Sequence, residues 1–178
     1  MTAEMLNVLV SVATLVVVAA AAAAALIQLR HLRTSNQLAA LLEIMNQWNL
    51  PAVQDALREL KQMPGKMADP EYVTMLRTQA SPDRASHPEF LALDLWEQIG
   101  TFTKHGLIEE NILLDIASTQ VGSAWGLAQP AIAALRERSG PATFENFEYL
   151  AVRANLWEKR YPDGSYPAGL PRFADLET

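Results

Sequence analysis

Two acidic residues one helical turn apart come nearest to a catalytic pattern in this sequence. Glu145 and Glu148 lie three positions apart in a segment with helical periodicity, so both side chains can face the same side of a helix. A pair of carboxylates can divide the roles of general acid and general base. The same spacing also suits a charge network on a helix surface, and we favour that interpretation.

The three histidines do not form a metal-ligand pattern. No two of them lie four residues apart, and no Glu-x-x-His pair is present. His105 lies at the predicted end of a helix, where a cation complements the helix dipole, and His87 lies at the start of another helix. We therefore predict no metal site, no cofactor and no catalytic residue. We retain His87, with Glu145 and Glu148, only as candidates for a pocket between helices.

The composition excludes several classes of protein. The 178 residues contain no cysteine, which rules out disulfides, thiolate metal sites and cysteine nucleophiles. The sequence has no glycine-rich phosphate loop and no nucleophile elbow. The net charge of −6 argues against nucleic acid as a partner, because proteins that bind it carry a basic face.

The apolar residues are concentrated near the N-terminus, where residues 5–29 carry no charge. As an α-helix this segment is about 37 Å long, which exceeds the roughly 30 Å hydrocarbon core of a bilayer. A cleaved signal peptide is the alternative, because the alanines at 19–25 can supply a cleavage site. We favour a retained transmembrane helix, since the leader lacks Lys and Arg and the segment is longer than the apolar region of a signal peptide.

The charges that flank this segment predict its orientation. Glu4 precedes it, and Arg30 and Arg33 follow it directly. Positive residues beside a transmembrane helix stay in the cytoplasm. We therefore expect residues 1–29 to form an outward N-terminus and one span, residues 30–160 a cytoplasmic helical bundle, and residues 161–178 an irregular tail.

Small and polar side chains follow one face of the predicted span. In lipid, helices associate through close packing of small residues and through hydrogen bonds between polar side chains. This face therefore predicts a helix–helix interface, with a second copy or another membrane protein as the partner. The alternative is that an alanine-rich helix has small residues on every face, and that its hydroxyls bond to its own backbone. The residues of the face, termed the small-residue stripe, are Asn7, Ser11, Thr14, Val18, Ala21 and Ala25.

The rest of the chain predicts an all-α fold. Apolar residues recur at helical spacing through residues 30–160, and the first helix continues without a break from the span to Pro51. Asp69-Pro70 marks a helix start, and Pro130 is expected to break or kink a long helix. We expect five to seven helices in one compact bundle with a single core. Its four tryptophans each fall on a predicted helix: Trp48, Trp96, Trp125 and Trp157.

The tail is expected to be irregular because it holds three prolines and two glycines. Its aromatic residues can pack onto the bundle or bind a partner as an extended ligand. We favour packing, since large exposed apolar patches are uncommon.

Four stretches of the sequence, in this order, are similar to those of a known family. They are residues 29–37 (LRHLRTSNQ), 104–108 (KHGLI), 144–151 (FENFEYLA) and 166–172 (YPAGLPR). The chain resembles a family of short bacterial proteins catalogued only as a domain of unknown function, with one N-terminal span and a helical body. The resemblance implies a bacterial inner-membrane protein and supplies neither an activity nor a functional residue.

These patterns predict a single-span inner-membrane protein whose partners are the lipid bilayer and other protein chains. Its cytoplasmic helical domain is expected to bind other proteins without catalysis, as an accessory or scaffold subunit. The alternative is a membrane-tethered enzyme or small-ligand sensor that uses a pocket between helices. An enzyme or sensor should have a concave pocket with convergent polar groups, whereas an adaptor should have an exposed apolar face or a symmetric oligomer.

Overall fold

The computed structural model describes residues 2–79 and 82–176. Within these residues the fold is all-α, as predicted, with seven α-helices and no β-strand. The helices are α1 (Ala3–Trp48), α2 (Pro51–Leu60), α3 (Met63–Met67), α4 (Pro70–Thr78), α5 (Glu89–Lys104), α6 (Glu110–Ser139) and α7 (Glu145–Arg160), followed by a 3-10 helix (Phe173–Leu176).

The chain divides into two compact units, Met1–Ala40 and Leu41–Thr178. The first unit consists of α1 up to Ala40. The helix α1 is long and apolar enough to cross a membrane. None of the most apolar stretch of this helix is buried within the protein. The hydroxyl of Thr14 donates to the carbonyl oxygen of Val10 at 2.8 Å, so its hydrogen bond is made within the helix.

The core of the second unit is built around α5. Phe90, Leu93, Trp96 and Ile99 recur at helical spacing along α5, and all four are almost completely buried. The start of α4 follows a local sequence signal. Asp69 accepts a hydrogen bond from the backbone N–H of Glu71 at 2.9 Å and so caps the start of α4.

Three of the four tryptophans meet in one aromatic cluster. Trp48 contacts Trp96 edge-on with 5.0 Å between ring centroids, and Trp96 stacks on Phe147 of α7 at 5.9 Å. Trp125 of α6 meets the same Phe147 ring edge-on at 5.2 Å. Trp157 lies outside this set of ring contacts, so three tryptophans rather than four join the helices of the core.

The helices α5 and α7 approach each other closely at Gly100. A Cβ atom placed on Gly100 would lie 2.1 Å from the carbonyl oxygen of Asn146, so a larger residue would force the two helices apart. One turn earlier, the carboxylate of Glu97 accepts hydrogen bonds from the backbone N–H groups of Asn146 at 3.3 Å and Phe147 at 2.7 Å. Glu97 therefore caps the start of α7 from the neighbouring helix.

Two expectations from the sequence differ from the structure. The helix α6 runs through Pro130 as one element, so of the two predicted outcomes, a break or a kink, the break does not occur. Proline removes one backbone hydrogen bond from a helix, but Ala128, Ala131 and Ile132 around it are buried, and their packing holds both sides of the helix in place.

The second difference is that, of the aromatic residues of the tail, Tyr161 contacts the ring of Trp157 on α7 at 4.5 Å, whereas Tyr166 and Phe173 are exposed. Residues 162–176 are exposed, and the side chain of Phe173 is 77% exposed. The tail makes contacts within itself instead, because the guanidinium of Arg172 lies over the ring of Tyr166 at 4.9 Å and the Tyr166 hydroxyl donates to Pro171. The Ser165 hydroxyl donates to Asp115 of α6.

Candidate functional site

The predicted transmembrane interface lies entirely on α1 in the first unit. Every residue of the small-residue stripe is exposed, and the Thr14 hydroxyl is engaged within its own helix. Arg30 and Arg33 follow on the same helix. They are exposed and form no ion pair within the described part of the chain.

The structure separates the two carboxylates of α7. Glu145 lies 3.4 Å from the ammonium of Lys104 on α5, and Glu148 lies 2.7 Å from the guanidinium of Arg136 on α6. Both carboxylates are about half exposed, and each is neutralised by a cation from a different helix. This arrangement is a surface charge network rather than two acids facing one cleft.

His87 lies beside a buried polar cluster. Its Nδ1 is 3.5 Å from Oε1 of Glu89, the first residue of α5, whose side chain is completely buried. The same oxygen accepts a hydrogen bond from the Tyr72 hydroxyl of α4 at 2.7 Å. The other carboxylate oxygen lies 2.7 Å from Nζ of Lys66 on α3. These four residues are termed the Glu89 cluster.

The charges of the Glu89 cluster stabilise one another. Burial by itself raises the pKa of Glu89, but the hydrogen bonds from Lys66 and Tyr72 together outweigh it, so the pKa of Glu89 lies below its usual value. Burial, and then the bond to Glu89, raise the pKa of the Tyr72 hydroxyl. Burial lowers the pKa of Lys66, but its bonds to Glu89 and Glu59 raise it above the usual value. At neutral pH the cluster therefore contains a carboxylate, an ammonium and a protonated phenol.

The cluster joins α3 and α4 to the start of α5. Both oxygens of Glu89 are already engaged by donors, whereas a general base needs an oxygen within reach of a substrate proton. This cluster could not be predicted from local patterns, because Lys66 and Tyr72 lie 23 and 17 residues from Glu89 and on different helices. His87-Pro88-Glu89 has the pattern of an ordinary helix start.

Two adjoining clefts lie in the second unit, between the end of α1 and helices α2, α5 and α6. The first cleft has a volume of about 220 Å³ and apolar walls that include Leu41, Ile44, Met45, Leu113 and Ile116. The second cleft has a volume of about 380 Å³, and its walls carry polar and cationic side chains: Gln54, Arg58, Lys61, Thr119 and Ser123. Trp48, Trp96 and Gln120 line both clefts.

Trp96 forms the junction of the two clefts. Its side chain is 1% exposed, and its indole N–H is buried without a hydrogen-bond acceptor in the part of the chain that the structure describes. A buried indole N–H normally has a partner. The core beside the two clefts therefore contains one buried donor that forms no hydrogen bond within the described residues.

A third cleft of about 430 Å³ lies between α6 and α7, and Gly122, Val152, Leu156 and Lys159 are part of its lining. None of the candidates His87, Glu145 and Glu148 lines any of the three clefts. Among the described residues, no three His, Asp or Glu side chains come together in a way that could hold a metal ion.

Comparison with known proteins yields one match. The family model described as a domain of unknown function, DUF4760, matches residues 15–154. This region includes part of the apolar segment of α1, all of α2 to α6 and more than half of α7. No curated protein and no solved structure matches the chain.

Proposed function

We propose a function for this chain, which belongs to the DUF4760 family, from its own geometry, because the family description supplies no activity. The chain acts as a single-span protein of the bacterial inner membrane. Its N-terminus faces outward and its helical second unit lies in the cytoplasm. The second unit works by binding, as an accessory or scaffold subunit, and not by catalysis.

The exposure of the apolar part of α1 carries this proposal. From Val8 to Leu29 its large apolar side chains are exposed, and none of the most apolar stretch is buried within the protein. Water penalises such exposure by roughly 25 cal/mol for each Å² of apolar surface. The core helix of a soluble protein would bury these side chains against its own fold. A bilayer therefore offers this helix its most favourable environment.

The orientation rests on Arg30 and Arg33, which are exposed and unpaired within the described residues. The guanidinium groups favour the cytoplasmic side of the membrane. The bacterial origin rests on the resemblance of the sequence to short bacterial membrane proteins. The proposal of binding rather than catalysis is supported by the partners of Glu89, Glu145 and Glu148, each of which holds a structural contact.

Reporter fusions test the topology. A fluorescent protein fused after Thr178 should be bright, and alkaline phosphatase fused at the same point should be inactive, because that enzyme folds only outside the cytoplasm. The double variant Arg30→Glu with Arg33→Glu should insert in both orientations, since it removes the positive charges that keep the C-terminal end of the span in the cytoplasm. Active phosphatase in the unmodified chain would overturn the orientation, and an intact mass lacking the first residues would overturn the retained span.

The small-residue stripe supports self-association through the span. Ser11→Leu with Ala21→Leu should weaken the oligomer, because bulky side chains keep the backbones of two helices apart. Ala13→Leu with Ala23→Leu is the matched control, since it adds the same volume to the opposite face. Mass measurement in mild detergent reads out both variants. An oligomer of unchanged size in the variant Ser11→Leu with Ala21→Leu would contradict self-association through the small-residue stripe.

The clefts favour a second candidate function, that of a membrane-tethered sensor of a small ligand. The observation behind it is the pair of clefts that share Trp48, Trp96 and Gln120 in their linings. The chemical nature of such a ligand follows from the walls of the two clefts.

A further inference from the structure

The first cleft has the walls of a site for a hydrocarbon chain. Its lining is mostly aliphatic and aromatic, with Asn49 and Gln120 as polar members. The amide nitrogen of Asn49 already donates to the Met45 carbonyl oxygen at 2.9 Å. Met45 and Ile116 are about half exposed at the rim, at 47% and 54%. Filling this cleft with an apolar group would remove these side chains from water, which is favourable.

The second cleft has the charge of a site for an anion. Arg58 and Lys61 line it, and its lining contains no acidic side chain. The ammonium of Lys61 has no ion-pair or hydrogen-bond partner within residues 2–79 and 82–176. Arg58 contacts Asp55, which lies outside the lining, and its guanidinium has further N–H groups to donate. The cleft therefore complements a negative group.

The junction connects the apolar site with the cationic site. Trp48 and Trp96 contact each other edge-on with 5.0 Å between ring centroids, and both rings belong to the linings of the two clefts. Trp48 is the last residue of α1 and is only partly buried. The indole N–H of Trp96 is buried and has no acceptor among the described residues. A ligand that reached across the junction would therefore meet apolar walls on one side and cations on the other.

We propose that the two adjoining clefts bind one molecule of a long-chain carboxylate, a free fatty acid. The hydrocarbon chain lies in the first cleft, and the carboxylate accepts hydrogen bonds from Lys61 and Arg58 in the second. A single chain is favoured over a two-chain lipid because the first cleft, at about 220 Å³, is smaller than a typical ligand site of about 300–1,000 Å³. This binding goes beyond the scaffold role and does not depend on it.

Quenching of tryptophan fluorescence by a brominated fatty acid tests the proposal. The full chain is placed in phosphatidylcholine nanodiscs and titrated with 11-bromoundecanoate, whose bromine quenches tryptophan on contact. Residues 5–29 contain no tryptophan, so probe dissolved around the span meets no fluorophore there. Saturable quenching is expected. The neutral analogue 11-bromo-1-undecanol should bind about tenfold more weakly, because it lacks the charge that strengthens hydrogen bonds to cations.

Two variants locate the binding site. Lys61→Gln should weaken binding of 11-bromoundecanoate about tenfold by removing one charged donor. Lys159→Gln is the matched control, because it makes the same change at an exposed cation of the third cleft and should leave binding unchanged. Ala117→Phe should abolish saturable quenching by filling the first cleft, of which Ala117 is a lining residue. Near-ultraviolet circular dichroism verifies that each variant folds, and Lys61→Gln still tests the site if Ala117→Phe does not fold.

Several results would overturn the proposal. Quenching that rises without saturation means that the probe only dissolves in the bilayer. Equal affinity for the acid and the alcohol would contradict a site for an anion in the second cleft. Equal effects of Lys61→Gln and Lys159→Gln on binding would contradict it as well. If no saturable quenching occurs and Ala117→Phe dissociates an oligomer, a second copy of the chain occupies the cleft instead.

Discussion

The apolar segment of α1 and the helix α5 are both rich in apolar residues, but their surroundings differ completely. On α5, side chains such as Leu93, Trp96 and Ile99 are buried against neighbouring helices. On α1, the large apolar side chains between residues 8 and 29 are exposed. Apolar content alone therefore does not place a helix in a protein core. What places it there is the presence of faces within the same chain that complement its shape.

The shapes of the two helices explain this difference. α5 combines a large ring at Trp96 with a bare backbone at Gly100, and these unequal sizes interlock with the residues of α7. It also carries a buried acid, Glu89, that has partners from two other helices. The apolar segment of α1 has valines and alanines on every side, a surface that suits lipid or a second such helix.

Charge placed in the apolar segment of α1 should have the largest effect. Val16→Asp with Val17→Asp should abolish retention in the membrane, because each Asp near the centre of a span costs about 2.5–3.5 kcal/mol. Fractionation after alkaline carbonate extraction measures this. Val152→Asp, at an exposed position of α7, is the control and should stay in the membrane fraction. A doubly substituted chain that remains in the pellet would contradict a transmembrane α1.

A leucine truncated to alanine should destabilise the protein on α5 but not on α1. Leu93→Ala on α5 should lower the free energy of unfolding of the second unit by about 2–5 kcal/mol, because it leaves a cavity in the core. Leu15→Ala on α1 should change it by less than about 0.5 kcal/mol. Chemical denaturation followed by tryptophan fluorescence measures both, since all four tryptophans lie beyond residue 40. Equal losses in the free energy of unfolding would mean that Leu15 is packed against the protein as tightly as Leu93.

The buried acid of α5 should produce a dependence on pH. The pKa of Glu89 is lowered in the folded protein, so its contribution is complete above the unfolded pKa of about 4.3 and is lost as the pH falls through the folded value. Glu89→Gln should cost about 1.5–3 kcal/mol at pH 7, and its difference from the unmodified protein should shrink below about pH 4. Denaturation at several pH values tests this. Glu145→Gln, at a half-exposed carboxylate, is the control and should cost less than about 1 kcal/mol at pH 7, because exposed ion pairs contribute little to stability.

Two glycine substitutions give the smallest effects, with opposite signs. Gly100→Ala should lower the free energy of unfolding by about 1–3 kcal/mol, because the new methyl group meets the backbone of α7. Gly122→Ala should raise it by about 0.5–1 kcal/mol, because a Cβ there meets no atom within 4 Å and alanine favours a helix interior. Thermal unfolding of both variants measures the sign. Destabilisation by both would show that close approach at Gly100 is not the cause.

Local signals in the sequence were sufficient to predict the class of fold. Helical spacing of apolar residues predicted an all-α chain with one long apolar helix at its start, and both are confirmed. The Asp69-Pro70 pair predicted the start of α4, because capping depends on a residue and its immediate neighbours. Of the break or kink predicted at Pro130, the break does not occur, since burial on both sides of the proline keeps the helix continuous.

The contacts between helices could not be predicted from the sequence. The Glu89 cluster and the Trp48–Trp96 junction each depend on residues that are far apart in the chain and meet only after packing. Their side chains carry no local pattern, and Glu89 has the position of an ordinary helix start. The candidates chosen from spacing, Glu145 and Glu148, prove to bind different cations, because spacing gives their direction but not their neighbours.

The Glu89 cluster also has a consequence for how the second unit opens. The helix α3 has five residues and α4 has nine, and helices shorter than about 12–15 residues do not persist alone in water. Glu89 joins both to the first turn of α5 through Lys66 and Tyr72. We therefore expect the backbone amides of α3 and α4 to exchange hydrogen with solvent together, as one cooperative group with the start of α5.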